Sequence, residues 1–152
     1  MSYRICDADS ACLGGLEALE KVCFSVPWTR QQLESQLPDE QHCFLIALEE
    51  EKVLGYVGMM HVLDEGYISN VAVAPEERRK GIGDSLIDGI LERARDLHLS
   101  FVTLEVRAEN RPAIRLYEKH GFREVGRRKN YYAFPTEDAI LMTKYLSEEN
   151  SS

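Results

Sequence analysis

The chain has no apolar run near the ~20 residues that a membrane-spanning helix requires. Its opening, Met1-Ser-Tyr-Arg-Ile-Cys-Asp7, contains no signal-peptide core and turns acidic at once. There is no internal repeat and no low-complexity linker. Basic residues are the minority, 18 Lys and Arg against 26 Asp and Glu, for a net charge of −8. That balance argues against gripping naked nucleic acid through its phosphates. It suits solubility, and it leaves a basic protein segment as an acceptable partner. The four cysteines, Cys6, Cys12, Cys23 and Cys43, form no C-x-x-C pair. The histidines, His42, His61, His98 and His120, are scattered, so no zinc-ligand spacing is present. The expectation is reduced structural thiols in a cytoplasmic protein with no metal and no membrane partner.

What is present suits one soluble α+β domain: 152 residues, 44% apolar and 29% charged. The domain is expected over 1–146, followed by a polar, flexible tail at 147–152. Tyr3-Arg4-Ile5 reads as a short edge strand, and Asp7 to Val22 as a helix weakened by Gly14-Gly15. Thr29 to Gln32 has the spacing of a capping box and opens a second short helix with Leu33 and Leu37 inward. Cys43 to Leu48 and Val53 to Val62 read as a hairpin, and Tyr67 to Val73 as a third strand stopped by Pro75. The period then changes. Ile82, Leu86, Ile87, Ile90, Leu91, Ala94 and Leu97 recur at helical spacing, predicting a helix over 83–97. Ser100 to Val106 is a strand, and Pro112 to Lys119 a helix with Asn110 as N-cap and Gly121 as terminator. Phe122 to Arg128 and Asp138 to Leu146 pair as the last two strands. The order β-α-α-β-β-β-α-β-α-β-β predicts a mixed, mostly antiparallel sheet with helices on both faces.

The sharpest segment runs from strand through loop into helix: Val71-Ala-Val-Ala-Pro-Glu-Glu-Arg78-Arg-Lys-Gly81-Ile-Gly83-Asp84. Gly81 and Gly83 permit a tight curl, and the first amides of the following helix lack intrahelical partners. Such a turn suits a pyrophosphate, with Arg78, Arg79 and Lys80 adding charge. Spacing alone equally allows a βα turn with basic surface residues. G-x-G-x-x-G and G-K-[ST] are absent, which disfavours a dinucleotide fold and excludes a P-loop. Asp84 sets a carboxylate at this turn, and its amide serves an anion only if the side chain points elsewhere.

Arg78-x-x-Gly81-x-Gly83 behind an apolar strand, followed by Asn110-Arg-Pro-Ala-Ile-Arg-Leu-Tyr117-Glu-Lys-His-Gly121-Phe122, resembles the two acetyl-CoA motifs of the GCN5-related N-acetyltransferases in order and separation. The resemblance covers nearly all the chain. It implies a sheet splayed between the strand ending at Val73 and the one ending near Val106. It implies acetyl-CoA as co-substrate, with the backbone of Val71, Ala72 and Val73 along the pantetheine arm. The pyrophosphate would sit on the amides from Arg79 through Lys80, Gly81, Ile82, Gly83 and Asp84, and Asn110 near the thiol.

Acetyl transfer to an amine needs a neutral amine, donors for a developing oxyanion, and a proton for the departing thiolate. No serine or cysteine stands in a nucleophile-plus-base pattern, so direct attack by the amine is the simpler route. Glu105 lies on the opposite strand face from Leu104 and Val106, and that pattern alone allows a solvated residue paired with a cation. Tyr117 follows Asn110 by two helical turns, and amphipathic packing accounts for it equally well. Leu104-Glu-Val-Arg-Ala-Glu-Asn110, Leu116-Tyr-Glu, Asn130-Tyr-Tyr132, Glu137-Asp-Ala-Ile-Leu-Met142 and Pro27-Trp28 narrow the resemblance to bacterial ribosomal-protein alanine N-acetyltransferases, the RimI type. That subfamily implies Glu105 as general base, Tyr117 as general acid, and the N-terminus of a ribosomal protein as acceptor. Tyr131 and Tyr132, expected in a loop before Pro135, are either sheet-edge packing or a wall of the peptide groove. Trp28 is either a core anchor or a lip of that groove. A lysine side chain or small amine as acceptor, or an acyl-CoA-binding module without turnover, are the competing readings.

Overall fold

The computed structural model describes residues 3–133 and 135–146, so the tail expected at 147–152 lies outside the described residues. The chain runs β1 (Arg4–Asp7), α1 (Leu13–Cys23), α2 (Arg30–Ser35), β2 (His42–Glu49), β3 (Lys52–Val62), β4 (Glu65–Val73), α3 (Ile82–Asp96), β5 (Phe101–Arg107), α4 (Arg111–Lys119), β6 (Arg123–Ala133) and β7 (Thr136–Tyr145). Single 3-10 turns precede α1 and α3. The predicted element order is the observed one. The first helix starts six residues later than its apolar pattern suggests, because Asp9 caps a separate turn by accepting from the Ala11 amide. Gly14 and Gly15 fall inside α1, where Gly15 sits against Val53: a Cβ there would meet the Val53 side chain at 2.9 Å. The capping box at Thr29 is complete, with Thr29 accepting from the Gln32 amide and Gln32 from the Thr29 amide.

Seven strands form one sheet in the order β1-β2-β3-β4-β5-β7-β6. Its left half is an antiparallel meander, and the last strand inserts between β5 and β6. Both faces are covered. On one, α3 buries Ile82, Leu86, Ile87, Ile90, Leu91 and Ala94 against Leu45, Val57, Val102 and Leu104. On the other, Leu13, Leu16, Leu19 and Leu33 of α1 and α2 meet Phe44, Ile46 and Tyr56. Strand β2 therefore reads as a continuous apolar run, since its alternate residues enter different cores. Each fully buried leucine or isoleucine contributes about 1.5–3 kcal/mol by leaving water.

The sheet opens at its centre. Strands β4 and β5 are the one parallel pair among the described residues, and they are in register only at Glu65–Phe101, Gly66–Val102 and Tyr67–Thr103. Past Tyr67 the two strands part. A register shift in β4 opposite Gly58 and Met59 marks the bend, with Ser69 as the extra residue. A bulge of this kind bends its strand and strengthens the local twist. It also flips the alternation: Ile68 belongs to the α3-side core, yet Ala72, four residues on, belongs to the α1-side core.

Candidate active site

The opening between β4 and β5 is the floor of a cleft of about 1270 Å³. Its walls include Tyr67 to Val73, the loop at Arg78 to Asp84, Leu104 to Arg107, the first two turns of α4, and Tyr131 and Tyr132. A second depression, about 590 Å³, lies where α1 meets the β2–β3 turn. Its titratable lining is Glu49, Glu50, Glu51, Lys52 and Glu76, with no hydroxyl or imidazole among them.

One end of the large cleft has a backbone geometry that suits an anion. Arg79 (φ 68°) and Gly81 (φ 84°) both take left-handed backbone, which turns successive amides toward a common point. Gly81 caps α3 with no side-chain bond to the first turn. Its carbonyl already accepts from the Ser85 amide at 3.0 Å and the Ser85 hydroxyl at 3.1 Å. The leading amides of α3 are thus left to an external acceptor. Asp84 does not compete for them. It turns to His120 Nε2 at 2.8 Å and Lys119 Nζ at 3.1 Å, while His120 Nδ1 reaches Asp88 at 3.1 Å. Burial opposes its charge, but the bonds from His120 and Lys119 prevail and hold its carboxyl below the usual range.

Two details depart from the reading of the loop as a ring of cations and glycines. Arg78 folds back so that Nε donates to the Val73 carbonyl at 3.0 Å, and Lys80 pairs with Glu77 at 3.3 Å rather than lining the cleft. Gly83 faces α4: a Cβ there would meet Leu116 Cδ2 at 3.2 Å. Its bareness serves the approach of two helices, and the positive φ of the loop belongs to Arg79 and Gly81.

The other end gathers a carboxylate and phenols. Glu105 projects from β5 on the face opposite Leu104 and Val106, yet its side chain is only 10% exposed. It is not the solvated residue that alternation alone allows. The Tyr67 hydroxyl donates to Oε1 at 2.7 Å, and Arg128 Nε lies 3.4 Å from Oε2. A hydrogen bond to Glu105, with burial behind it, holds Tyr131 above the ordinary phenol range. Burial and then the charge of Glu105 push Tyr132 up to about 12. Tyr117, on α4, is 8% exposed and meets Phe122 edge-on at 5.8 Å. Among the described residues nothing hydrogen-bonds its hydroxyl. Burial, then the nearby Tyr132, raises it well above the usual phenol range, so it keeps its proton at any working pH.

Asn110 caps α4, its Oδ1 accepting from the Ala113 amide at 3.3 Å while the residue borders the cleft. Tyr131 and Tyr132 are not in a loop. They lie within β6, where a register shift between Arg128 and Tyr132 and a left-handed Asn130 (φ 51°) turn Arg128 and Tyr131 toward Glu105. Asp138 supports that bulge by accepting from the Asn130 amide at 2.9 Å. The Arg107 guanidinium lies 4.3 Å over the Tyr132 ring. Trp28 does not line the cleft. It stacks on Tyr56 with ring centroids 6.4 Å apart and packs into the α1-side core.

Tyr67 and Arg128 escaped the sequence reading because each is unremarkable in its own strand and gains meaning only across the opening. Glu20 left a signal that was available. It follows Leu16 by four residues on the buried face of α1, and it is 1% exposed. Among the described residues, no cluster of three or more His, Cys, Asp or Glu is placed to hold a metal ion.

Known proteins share this architecture. The chain is 33% identical to ribosomal protein bS18-alanine N-acetyltransferase of Escherichia coli K12 over 133 residues, covering 85% of this chain and 88% of that one. It is 34% identical to the enzyme of the same name from Haemophilus influenzae, covering 86% and 90%. The crystal structure of the ribosomal-protein-S18-alanine N-acetyltransferase from Escherichia coli superimposes with a TM-score of 0.88 at 29% identity, over 95% of this chain and 94% of that one. Arabidopsis thaliana NAA60 in complex with acetyl-CoA shares the fold, with a TM-score of 0.87 at 20% identity over 96% and 99%. The family model described as Acetyltransferase (GNAT) family matches residues 13–122, and the chain, with its parted central strands and left-handed loop before α3, belongs to that family of acetyl-CoA-dependent acetyltransferases.

Proposed function

We propose that this protein acetylates the N-terminal α-amine of a protein, and specifically of a ribosomal protein beginning with alanine, with Glu105 as general base and Tyr117 as general acid. The observation that carries the reading is the pairing of a nearly buried carboxylate with a phenol whose ring is buried and whose hydroxyl is unpartnered among the described residues, in the walls of one cleft. The bS18-alanine activity in the names of the bacterial relatives supports the choice of acceptor.

The residues present fit acetyl-CoA. The left-handed loop and uncapped start of α3 suit its pyrophosphate, and the edge of Val71 to Val73 that β5 leaves open, apart from the Val73 carbonyl taken by Arg78, suits an extended arm that hydrogen-bonds as a strand does. The co-substrate supplies the activated acetyl carbon. Glu105, directly or through one water, accepts the proton that the attacking amine must lose. Tyr67 and Arg128 hold both carboxylate oxygens in place while it does so. Tyr117 stays protonated and so has a proton to give the departing sulfur, whose thiolate is destabilised by the same burial that raises the phenol. Arg107 and the Tyr131–Tyr132 pair, whose rings meet edge-on at 5.1 Å, form the acceptor-side wall.

The energetics favour an α-amine. Its reference pKa of about 7.7–8.0 leaves part of it neutral near pH 7, whereas a lysine near 10.4 costs roughly 3–4 kcal/mol more to reach the same state. The test is a comparison of kcat/KM for a peptide with a free N-terminal alanine, the same peptide blocked but carrying lysine, and a free polyamine. The alanine peptide is expected to win by a wide margin. A lysine or polyamine preference would overturn the proposed acceptor while leaving the family intact.

A further inference from the structure

The cleft has a second polar feature, on the opposite wall from Glu105. Glu20 is a buried carboxylate in α1 that the chemistry above does not use. Each of its oxygens has a donor: the Trp28 amide gives to Oε1 at 2.6 Å and the Tyr56 hydroxyl gives to Oε2. Tyr56 is fully buried, and burial, then its bond to Glu20, raises it far above the ordinary phenol range. It therefore keeps its single proton, and that proton goes to Glu20. Only lone pairs remain on its oxygen for the third member, Asn70, whose Nδ2 donates to it at 2.9 Å.

This chain of donors has one direction, and it settles which way the Asn70 amide faces. With the NH2 group committed to Tyr56, the carbonyl Oδ1 is the end left over, and among the described residues nothing donates to it. Asn70 borders the cleft. The β4 bulge that carries Ser69 sets Asn70 on the same side of the sheet as Ala72 and Tyr56, the α1 side. Glu105 projects to that side too, because its neighbours Leu104 and Val106 enter the α3-side core. A carboxylate and an amide carbonyl thus flank the parted strands, both acceptors. A group rich in N–H donors is what such a site takes, and a primary amine or ammonium brings up to three.

We propose that Asn70 is a specificity-determining residue for the amine acceptor, its Oδ1 receiving an N–H from the incoming amino group, and that Glu20 and Tyr56 are positioning residues that hold Asn70 in this orientation. The inference rests on the reading of the acceptor as a primary amine and adds the wall opposite Glu105. It also accounts for a buried carboxylate that packing alone does not require.

The test uses steady-state kinetics with an N-terminal alanine peptide and acetyl-CoA on three variants, each checked for its melting temperature. Asn70→Leu removes the acceptor. Its peptide KM is expected to rise about tenfold or more, the scale of one hydrogen bond to a charged group, with the acetyl-CoA KM unchanged. Glu20→Gln is nearly isosteric and keeps an oxygen for the Trp28 amide. Its new NH2 donates to Tyr56, whose proton then turns to Asn70 and reverses the amide. The peptide KM is expected to rise by a similar factor although residue 20 does not line the cleft. The double variant is expected to be no worse than Asn70→Leu alone, since both act through one atom. An unchanged peptide KM in folded Asn70→Leu overturns the proposal, and an unchanged value in Glu20→Gln overturns the positioning chain. A parallel loss in both substrates with lowered melting temperature assigns the cluster to packing and also overturns it. Glu105→Gln measured alongside separates the readings: if it retains turnover, the proposed base is wrong, whereas if it is inactive while Asn70→Leu binds peptide normally, only the present inference fails.

Discussion

Tyr117→Phe isolates the proposed acid from the packing around it. The side chain is 8% exposed and rests edge-on against Phe122 at 5.8 Å, contacts that a phenylalanine ring reproduces. The hydroxyl has no hydrogen-bond partner among the described residues, so deleting it leaves no buried donor or acceptor stranded. The change in stability is then expected within about 0.5 kcal/mol, or roughly 2 °C in Tm for a domain of this size. Catalysis is expected to respond on a different scale. General acid catalysis contributes about 10²–10⁴-fold, or roughly 3–5 kcal/mol of barrier. The variant is expected to lose that factor in kcat while acetyl-CoA affinity and peptide KM hold, because the proton acts on the departing sulfur and not on the bound ground state. Single-turnover rates with both substrates saturating read the chemical step directly, and calorimetric titration reads the cofactor. A single-turnover rate equal to the wild type would return Tyr117 to a packing role. A loss of cofactor affinity in step with the rate would do the same.

Glu105→Gln is expected to keep the fold and the cofactor and to lose at least about 10²-fold in kcat/KM for the alanine peptide, measured by thiol release. The two loop glycines are expected to separate. Gly81→Val forces a branched residue to φ 84° and is expected to weaken acetyl-CoA binding in a titration, whereas Gly83→Val presses on Leu116. The latter is expected to lower Tm through about 1–3 kcal/mol of overpacking, with a smaller effect on the cofactor. Equal cofactor losses at unchanged Tm would contradict this division. Stability is expected to fall as pH rises past about 10, because Tyr56, Tyr67, Tyr117, Tyr131 and Tyr132 are all raised in the folded protein. The unfolded chain loses those protons first, near the ordinary phenol value, and then binds fewer protons than the native state, so unfolding gains with pH. Thermal melts from pH 8 to 11 read this, and Tyr67→Phe is expected to flatten the slope.

The elements and their order were legible in the residues, because each rests on local patterning. The helical repeat from Ile82 to Ala94, the Thr29 capping box, the Asn110 cap and the left-handed Gly121 all stand where spacing puts them, whereas Leu97, the last apolar residue of the pattern, lies exposed past the end of α3. So does Glu105 on the far side of β5 from Leu104 and Val106, since alternation along a strand needs no tertiary contact. Motif spacing also located the left-handed loop at Arg79 and Gly81. Whether a residue faces the cleft was another matter, for it depends on where strands part and bulge. The extra residue Ser69 inverts the alternation of β4 and brings Asn70 to the α1 side of the sheet, and the bulge before Tyr132 swings Arg128 and Tyr131 onto Glu105. A one-residue irregularity leaves almost no trace in composition, yet it exchanges the faces of everything beyond it. The choice left open at Trp28, and the second demand on Gly83, were illegible for a related reason: what a side chain or a missing Cβ meets is set by the neighbouring element, Tyr56 in one case and Leu116 in the other. The amino-acid sequence by itself determined the helices, the strands and the family's motifs, which are properties of nearest neighbours along the chain. Only the tertiary structure decided which polar groups meet across the open sheet, because Tyr67, Glu105 and Arg128 come from three different strands that no local rule brings together.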